Sequence, residues 1–203
     1  MSPAPQQVPL IVPELVALDA SPGKEKKDVI EFLASVVAGA GRASSPDGLA
    51  TDALAREATA PTGIPGGIAI PHCRSPHVLA PSLGFARLAE PVSFGAADDR
   101  DADLIFMIAA PAGADDFHLQ LLAKLARGLM RTDFTDALRA APTAQDVVRL
   151  VTQQVQPELL EDAPASTAAP TSHAAPAGSK GTVIVGVSSC PTGIAHTFMA
   201  AEA

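Results

Sequence analysis

A histidine that closes a glycine-rich, apolar stretch is the first residue whose setting suggests chemistry. The stretch, residues 62–72, reads TGIPGGIAIPH. Its glycines permit tight backbone conformations, and residues 68–70 have the short apolar pattern of a buried strand. Pro71 fixes its own φ and biases the residue before it towards an extended conformation. The pattern therefore predicts that His72 stands where a rigid element ends, aimed in a defined direction as a nucleophile or base.

A cysteine near the end of the sequence has a comparable setting. Cys190 follows the β-branched stretch 182–187 and opens the segment CPTGIAHT, which leads into a predicted helix start. Backbone N–H groups at a helix N-terminus bind phosphate and lower the pKa of a thiol. Phosphatases with a Cys-x5-Arg loop use a similar arrangement, but the sixth position after Cys190 is His196. The loop thus favours a phosphocysteine over phosphatase turnover, with a buried structural cysteine as the alternative.

Two further side chains could act on a phosphoryl group at His72. Arg56, in a predicted helix, offers a permanent charge on a planar group suited to phosphate, although a surface arginine would look the same. His118 lies in the apolar stripe of a helix predicted to begin at Asp115 and Asp116. In that first turn, free backbone N–H groups favour anions. A core histidine without a chemical role is the alternative for His118, and a strand-end histidine bonded to backbone is the alternative for His72.

The same region could also be interpreted as a zinc site made of His72, Cys73, His77 and His118. Adjacent ligands rarely both reach one metal, and no partner that would orient the ligating histidines is visible. We therefore expect no metal and no cofactor. Cys73 is interpreted as a small packing residue and His77 as a solvated loop residue.

The elements that must hold these residues alternate between strand and helix patterns. Ser21-Pro22 and Ser45-Pro46 each pair a hydroxyl cap with a proline, which predicts helix starts; these helices end near residues 39 and 58. Strands are predicted over 15–18, 68–70, 83–88 and 103–109, and helices over 115–131, 134–139 and 144–154. The chain is therefore predicted to be α/β, with a mixed β-sheet flanked by helices.

Composition limits the classes of partner and compartment. The chain has 203 residues, a net charge of −8, two cysteines and only 3% aromatic residues. An acidic chain with few aromatic rings does not suit nucleic acid, and two distant cysteines give no disulfide framework. The longest apolar run, residues 104–110, is too short to span a bilayer. We expect a soluble, cytoplasmic protein.

The sequence divides into three parts. Residues 8–155 carry the strand and helix patterns of one domain. Residues 156–180 are rich in Pro, Ala, Ser and Thr without periodicity, which predicts a linker. Residues 181–203 hold one strand, the Cys190 loop and a helix start, too little for a domain.

Two segments together resemble a known family. TGIPGGIAIPHC is similar to the signature of fructose/mannitol-type enzyme IIA of the bacterial phosphoenolpyruvate-dependent sugar phosphotransferase system, and its phosphorylated histidine falls on His72. The family's arginine and second active-site histidine fall on Arg56 and His118. SSCPTGIAHTFMAAEA resembles the phosphocysteine loop of fructose-type enzyme IIB, which places the phosphorylated thiol on Cys190. Pro65 departs from the enzyme IIA pattern, which usually has a small residue there.

The resemblance implies a phosphotransferase component that carries a phosphoryl group. His72 would accept it from the histidine phosphocarrier protein (HPr), and the enzyme IIB cysteine would receive it for uptake and phosphorylation of fructose through membrane enzyme IIC. Residues 8–155 would be the enzyme IIA domain and residues 181–203 the N-terminal fragment of enzyme IIB. The alternative is a regulatory module of the same fold, which senses phosphorylation and binds a partner without passing phosphate onward. A hydrolase or metalloenzyme using the His/Cys cluster is a further alternative.

Overall fold

A computed structural model describes residues 8–113 and 115–161, without the side chains of residues 115–119 and 160–161. The strands are β1 (Val16–Ala20), β2 (Gly63–Ile64), β3 (Ile68–Ala69), β4 (His72–Ser75), β5 (Ser82–Val92) and β6 (Ala102–Pro111). The helices are α1 (Lys26–Gly39), α2 (Pro46–Thr59), α3 (Asp115–Leu129), α4 (Thr132–Ala140), α5 (Ala144–Val155) and the single turn α6 (Glu158–Glu161). A 3-10 turn, Pro13–Leu15, precedes β1.

The six strands form one mixed sheet, in which five follow the order β1-β5-β6-β3-β2 and the sixth, β4, pairs with β6. Strand β6 is central, because it pairs antiparallel with β5 on one side and parallel with both β3 and β4 on the other. In this parallel register Ala69 lies opposite Ile105, and His72 lies opposite Ile108. Strands β3 and β4 thus share one edge of β6, separated only by residues 70 and 71.

Helices cover both faces of the sheet. On one face Gly84 of β5 is close to Leu33 and Val37 of α1. On the other, Arg87 of the same strand reaches main-chain oxygens at the end of α4. Side chains of a strand alternate between faces, so α1 and α4 lie on opposite sides. The core at the sheet includes Phe85 and Phe106, whose ring centroids are 4.9 Å apart. The predicted fold class is confirmed.

The second predicted helix start is observed, whereas the first is displaced. Helix α2 begins with Pro46, and the Ser45 side chain accepts the N–H of Gly48 at 3.0 Å. Helix α1 begins four residues after Pro22, with Glu25 at its N-cap and Asp28 completing a capping box. Asp28 accepts the N–H of Glu25 at 3.2 Å, so the first turn is capped at Glu25 and not at Ser21. The predicted serine cap of α1 is therefore wrong.

Two other expectations need revision. A further short strand, β4, begins at His72, so the histidine is the first residue of a paired segment and does not simply follow the end of one. Within the predicted linker, Gln156 is buried and its side chain accepts the N–H of Leu10 at 2.8 Å, and α6 follows. The linker was predicted from its content of proline and small residues, and composition gives no sign of the long-range contact between Gln156 and Leu10. The rest of that linker and residues 181–203 lie outside the described residues.

Within the residues described, no helix combines the length and the apolar character needed to cross a membrane.

Candidate active site

The glycine-rich segment forms a hairpin that leads to His72. Strand β2 pairs antiparallel with β3, and the turn between them contains Gly66 and Gly67 at φ angles of +100° and +78°. Residues other than glycine rarely adopt such angles. The turn is held from outside: Asp98 accepts the N–H of Gly66 at 2.9 Å, and Arg139 donates to its carbonyl at 2.7 Å.

The His72 ring is oriented by the main chain just before it. Its Nδ1 lies 2.8 Å from the carbonyl oxygen of Ile70. A carbonyl oxygen can only accept a hydrogen bond, so Nδ1 carries the proton. In the neutral ring Nε2 then carries the lone pair. The alternative given above for His72, a bond to backbone, is therefore present, and it selects the tautomer that leaves Nε2 as the nucleophilic nitrogen.

The protonation state of His72 is biased towards neutral. Desolvation of the half-buried ring lowers its pKa, the bond to Ile70 raises it, the Arg56 charge lowers it, and the Glu57 charge raises it; the net pKa is below the ordinary value. Because the ordinary histidine pKa is already about 6.5, the ring is neutral at physiological pH. A neutral imidazole is the form that can attack phosphorus.

Arg56 is brought to this site by the packing of α2 against β4. Its Nη1 donates to the carbonyl of Ala60 at 3.2 Å, just beyond the end of α2. The guanidinium is close enough to His72 for its charge to lower the pKa of the ring. The structure thus brings together two of the predicted site residues, the histidine predicted to be the nucleophile and the arginine predicted to supply fixed charge.

Glu57, adjacent to Arg56, has a role that the sequence analysis did not assign. Its side chain is buried and accepts from the Thr62 hydroxyl at 2.6 Å and from the Thr62 N–H at 3.4 Å. Lys26 lies 3.3 Å from the same carboxylate. Its position in the sequence, between a predicted site arginine and the glycine segment, is the signal that could have found it.

The residues near His72 do not have the environments of metal ligands. Cys73 is buried, and burial together with the nearby Asp52 charge raises the pKa of its thiol to about 12. The His77 ring packs against Gly48 of α2, where a Cβ would lie only 2.3 Å from it. His77 lies in a turn, as interpreted from the sequence, but it is half-buried there and not fully solvated. Among the described residues, no three potential metal-ligating side chains come together.

The other predicted residues can be placed only in part. His118 lies in the first turn of α3, which begins four residues after β6 ends. Its side chain is among those not described, so its contact with His72 stays a prediction. Cys190 lies outside the described residues.

Asp98 belongs to the acidic run 98–101 and is an exposed turn residue, and its carboxylate accepts the N–H of Gly66 in the hairpin. Only the folded chain brings Asp98 to Gly66, and no local pattern marks that long-range contact.

A neutral histidine with a fixed tautomer, placed beside an arginine, can take up a phosphoryl group and stabilise its charge.

Comparison with known proteins gives a consistent result. The family model described as "Phosphoenolpyruvate-dependent sugar phosphotransferase system, EIIA 2" matches residues 10–154. A fructose-specific EIIA component from Haloferax volcanii is 39% identical over 143 residues, which cover 70% of this chain and 92% of that protein. A fructose-specific EIIABC component from Bacillus subtilis is 38% identical over 180 residues, which cover 89% of this chain but 27% of that protein.

A solved structure shows the same fold. The nitrogen regulatory protein IIA-Ntr from Neisseria meningitidis superposes with a TM-score of 0.66 at 29% identity, over 70% of this chain and 97% of that one.

Proposed function

This chain belongs to the EIIA 2 family of the phosphoenolpyruvate-dependent sugar phosphotransferase system, and we propose that it accepts a phosphoryl group on Nε2 of His72 and passes it to an enzyme IIB cysteine. The observation that carries the proposal is the 2.8 Å contact of His72 Nδ1 with the Ile70 carbonyl. It keeps the proton on one ring nitrogen and the lone pair on the other.

The transfer exchanges one N–P bond for another. Nε2 of neutral His72 attacks the phosphorus of the phosphohistidine on HPr, the donor N–P bond breaks, and its electron pair returns to the donor imidazole. His72 retains its Nδ1 proton, so no base is needed. The Ile70 carbonyl stabilises the ring as it becomes more positive, because the Nδ1–H donor strengthens with charge.

Arg56 supplies fixed positive charge for the phosphoryl oxygens, which carry the charge of the transition state. His118 is proposed as the neighbour that orients or hydrogen-bonds the phosphoryl group. The support for this role is its place in the first turn of α3, where main-chain N–H groups also favour anions.

In the onward step the thiolate of an enzyme IIB attacks the phosphorus on His72, and the His72 N–P bond breaks. The resemblance of the Cys190 loop to such a site supports the proposal that residues 181–203 begin an enzyme IIB unit, after residues 8–155 and a linker over 156–180. The similarity to an EIIABC component and a fructose-specific EIIA supports fructose as the sugar. HPr, enzyme IIB and membrane enzyme IIC are the proposed partners, on the cytoplasmic side of the membrane.

A regulatory module is the second candidate function. The solved relative with the same fold is named a nitrogen regulatory protein. In that case His72 would still be phosphorylated, but the phosphoryl group would control binding to a partner and would not be passed onward.

Intact-mass measurement after incubation with phosphoenolpyruvate, enzyme I and HPr tests the proposal. We expect one acid-labile phosphoryl group, absent in His72→Ala and retained in Cys190→Ala and in the matched histidine control His77→Ala. Phosphate that is retained by His72→Ala, or absent from the folded wild-type protein with a competent HPr, would contradict it. Addition of a separate enzyme IIB then distinguishes a carrier, which loses the group, from a regulatory module, which keeps it.

A further inference from the structure

Glu57 is a carboxylate in an unusual environment for its charge. Among the described residues it is the one buried acidic side chain, with 3% of its surface exposed. Burial of a carboxylate is costly unless it is paired and hydrogen-bonded. An apolar side chain at such a position is often no less stable. Packing alone therefore does not explain why a carboxylate occupies this position.

A continuous series of hydrogen bonds leads from Glu57 towards the catalytic ring. The Thr62 hydroxyl donates to Glu57 Oε2 at 2.6 Å, and the Thr62 N–H points to Oε1 at 3.4 Å. The carbonyl of Thr62 in turn accepts the N–H of Ile70 at 3.0 Å. Glu57 thus fixes the residue that opens the hairpin, and this residue fixes the one that closes it.

The series ends on His72 itself. The Ile70 carbonyl meets His72 Nδ1 at 2.8 Å. On the far side of that peptide, the Pro71 carbonyl accepts the N–H of Ile108 at 3.0 Å, so the segment is also tied to β6. With one anchor on each side, the direction of the Ile70 carbonyl is determined, and with it the tautomer of His72.

We propose that Glu57 is a positioning residue for His72, acting through the Thr62 hydroxyl and the main chain of Thr62 and Ile70 to keep the proton on Nδ1. The inference rests on the proposed function only in that His72 is taken as the phosphoryl acceptor; the effect on the tautomer is independent of it. Lys26 is half-exposed and donates to Glu57 Oε1 at 3.3 Å, which offsets the charge and leaves Oε2 to the Thr62 hydroxyl.

Nuclear magnetic resonance of the full chain tests the structural part of the proposal, the effect on the His72 tautomer. Thr62→Val removes the hydroxyl and nearly preserves the shape, whereas Thr62→Ser keeps the hydroxyl. We expect Thr62→Val to lower the Nδ1–H population in the ¹⁵N spectrum of His72 and to speed exchange of the Ile70 amide. Thr62→Ser should restore both. Wild-type tautomer and exchange in folded Thr62→Val would overturn the proposal.

A stability control separates positioning from general loosening. Val151→Ala truncates a fully buried side chain of α5, a helix that packs against α3 and α4. It should lower stability without changing the His72 tautomer. If Val151→Ala changes the tautomer as much as Thr62→Val does, the effect is global and the proposal fails.

Glu57→Gln provides a second variant if Thr62→Val does not fold. An amide has one acceptor oxygen, so it cannot serve the donors on both carboxylate oxygens. Ile70 amide exchange should again rise more than that of Phe106 in β6. Equal changes at the two amides would overturn the proposal.

Single-turnover transfer from phospho-HPr tests the functional half. A misplaced acceptor ring slows the chemistry, so we expect Thr62→Val to transfer about tenfold more slowly, and Thr62→Ser to recover most of the rate. Wild-type rates in Thr62→Val would overturn the positioning role. Absence of transfer in the wild type, with the tautomer change still seen, would instead contradict the proposed function and leave the positioning of His72 supported.

Discussion

The guanidinium of Arg139 donates to the main-chain oxygen of Gly66 at 2.7 Å and forms a two-point ion pair with Asp103 at 2.7 and 2.8 Å. A residue of α4 is thereby tied to the tip of the hairpin and to the start of the central strand β6. The hairpin that leads to His72 is thus held in place by a residue 73 positions later in the sequence.

Gly67→Ala should damage this arrangement. Gly67 has a φ of +78°, and an added Cβ would lie 3.0 Å from Asp103 Oδ1 and 3.3 Å from Arg139 Nη2. We expect a loss of about 2 kcal/mol in the free energy of unfolding from backbone strain, measured by urea denaturation. Gly39→Ala is the matched control, because a Cβ there meets nothing within 4 Å, and it should not destabilise. Equal effects of the two substitutions would contradict this account of the turn.

The titration of His72 should respond with opposite signs to two neighbouring charges. Arg56 lowers the pKa of His72 and Glu57 raises it. Arg56→Gln should therefore raise the midpoint of the His72 ring resonances, and Glu57→Gln should lower it further below the ordinary value. A shift of the same sign in both variants would contradict the electrostatic assignment.

The lowered pKa of His72 also predicts the direction of a stability change. The unfolded chain, with a histidine pKa of about 6.5, binds the proton before the folded state does. The stability that His72 contributes is therefore complete above a pH of about 6.5 and is lost as the pH falls towards the pKa of His72 in the folded protein. Relative to a His72→Gln variant, the wild type should lose free energy of unfolding in that window. Identical pH dependence of the two proteins would contradict it.

Local patterns predicted the elements of this fold better than its contacts. The helix start at Ser45-Pro46 and the apolar strand at residues 103–109 carry their signals within a few residues, and both are observed. The displaced start of α1 followed from a competing cap, Glu25 with Asp28, whose acidic residues form a weaker pattern than Ser-Pro.

The site was predictable where residues act by type, and not where they act by position. His72 and Arg56 carry recognisable chemistry in the sequence. Glu57 and Asp98 gain their roles from contacts with Thr62 and Gly66 that exist only after folding. Nothing in the acidic run 98–101 indicates which of its aspartates will accept a hydrogen bond from the hairpin.

Cys73 should be inert in the folded protein. Its buried thiol has a pKa raised to about 12, so the reactive thiolate is scarce at neutral pH. In a Cys190→Ala background, which leaves Cys73 as the single cysteine, we expect no alkylation by iodoacetamide at pH 8 and complete alkylation in urea, measured by intact mass. Rapid native labelling would contradict the burial of this thiol and would return it to consideration as a ligand or nucleophile.

Arg87 should contribute more to stability than any simple surface pair. It forms a two-point ion pair with Asp19 at 2.9 and 3.0 Å, and its Nη1 donates to the carbonyls of Arg139 and Ala141 at 2.9 and 2.7 Å. These carbonyls lie at the end of α4, where the helix itself provides no donors. Its side chain is only 15% exposed.

Arg87→Met keeps much of the apolar stem but removes the donors. We expect it to lower the free energy of unfolding by about 3 kcal/mol, because the partly buried carbonyls of Arg139 and Ala141 lose a charged partner. Arg149→Met is the matched control: Arg149 is 69% exposed and pairs with Asp146 on the same helix, so its loss should cost under about 1 kcal/mol. Since Arg139 holds Gly66, loosening the end of α4 should also speed amide exchange at the hairpin in Arg87→Met. A stability loss without that change would mean that α4 and the hairpin are held independently.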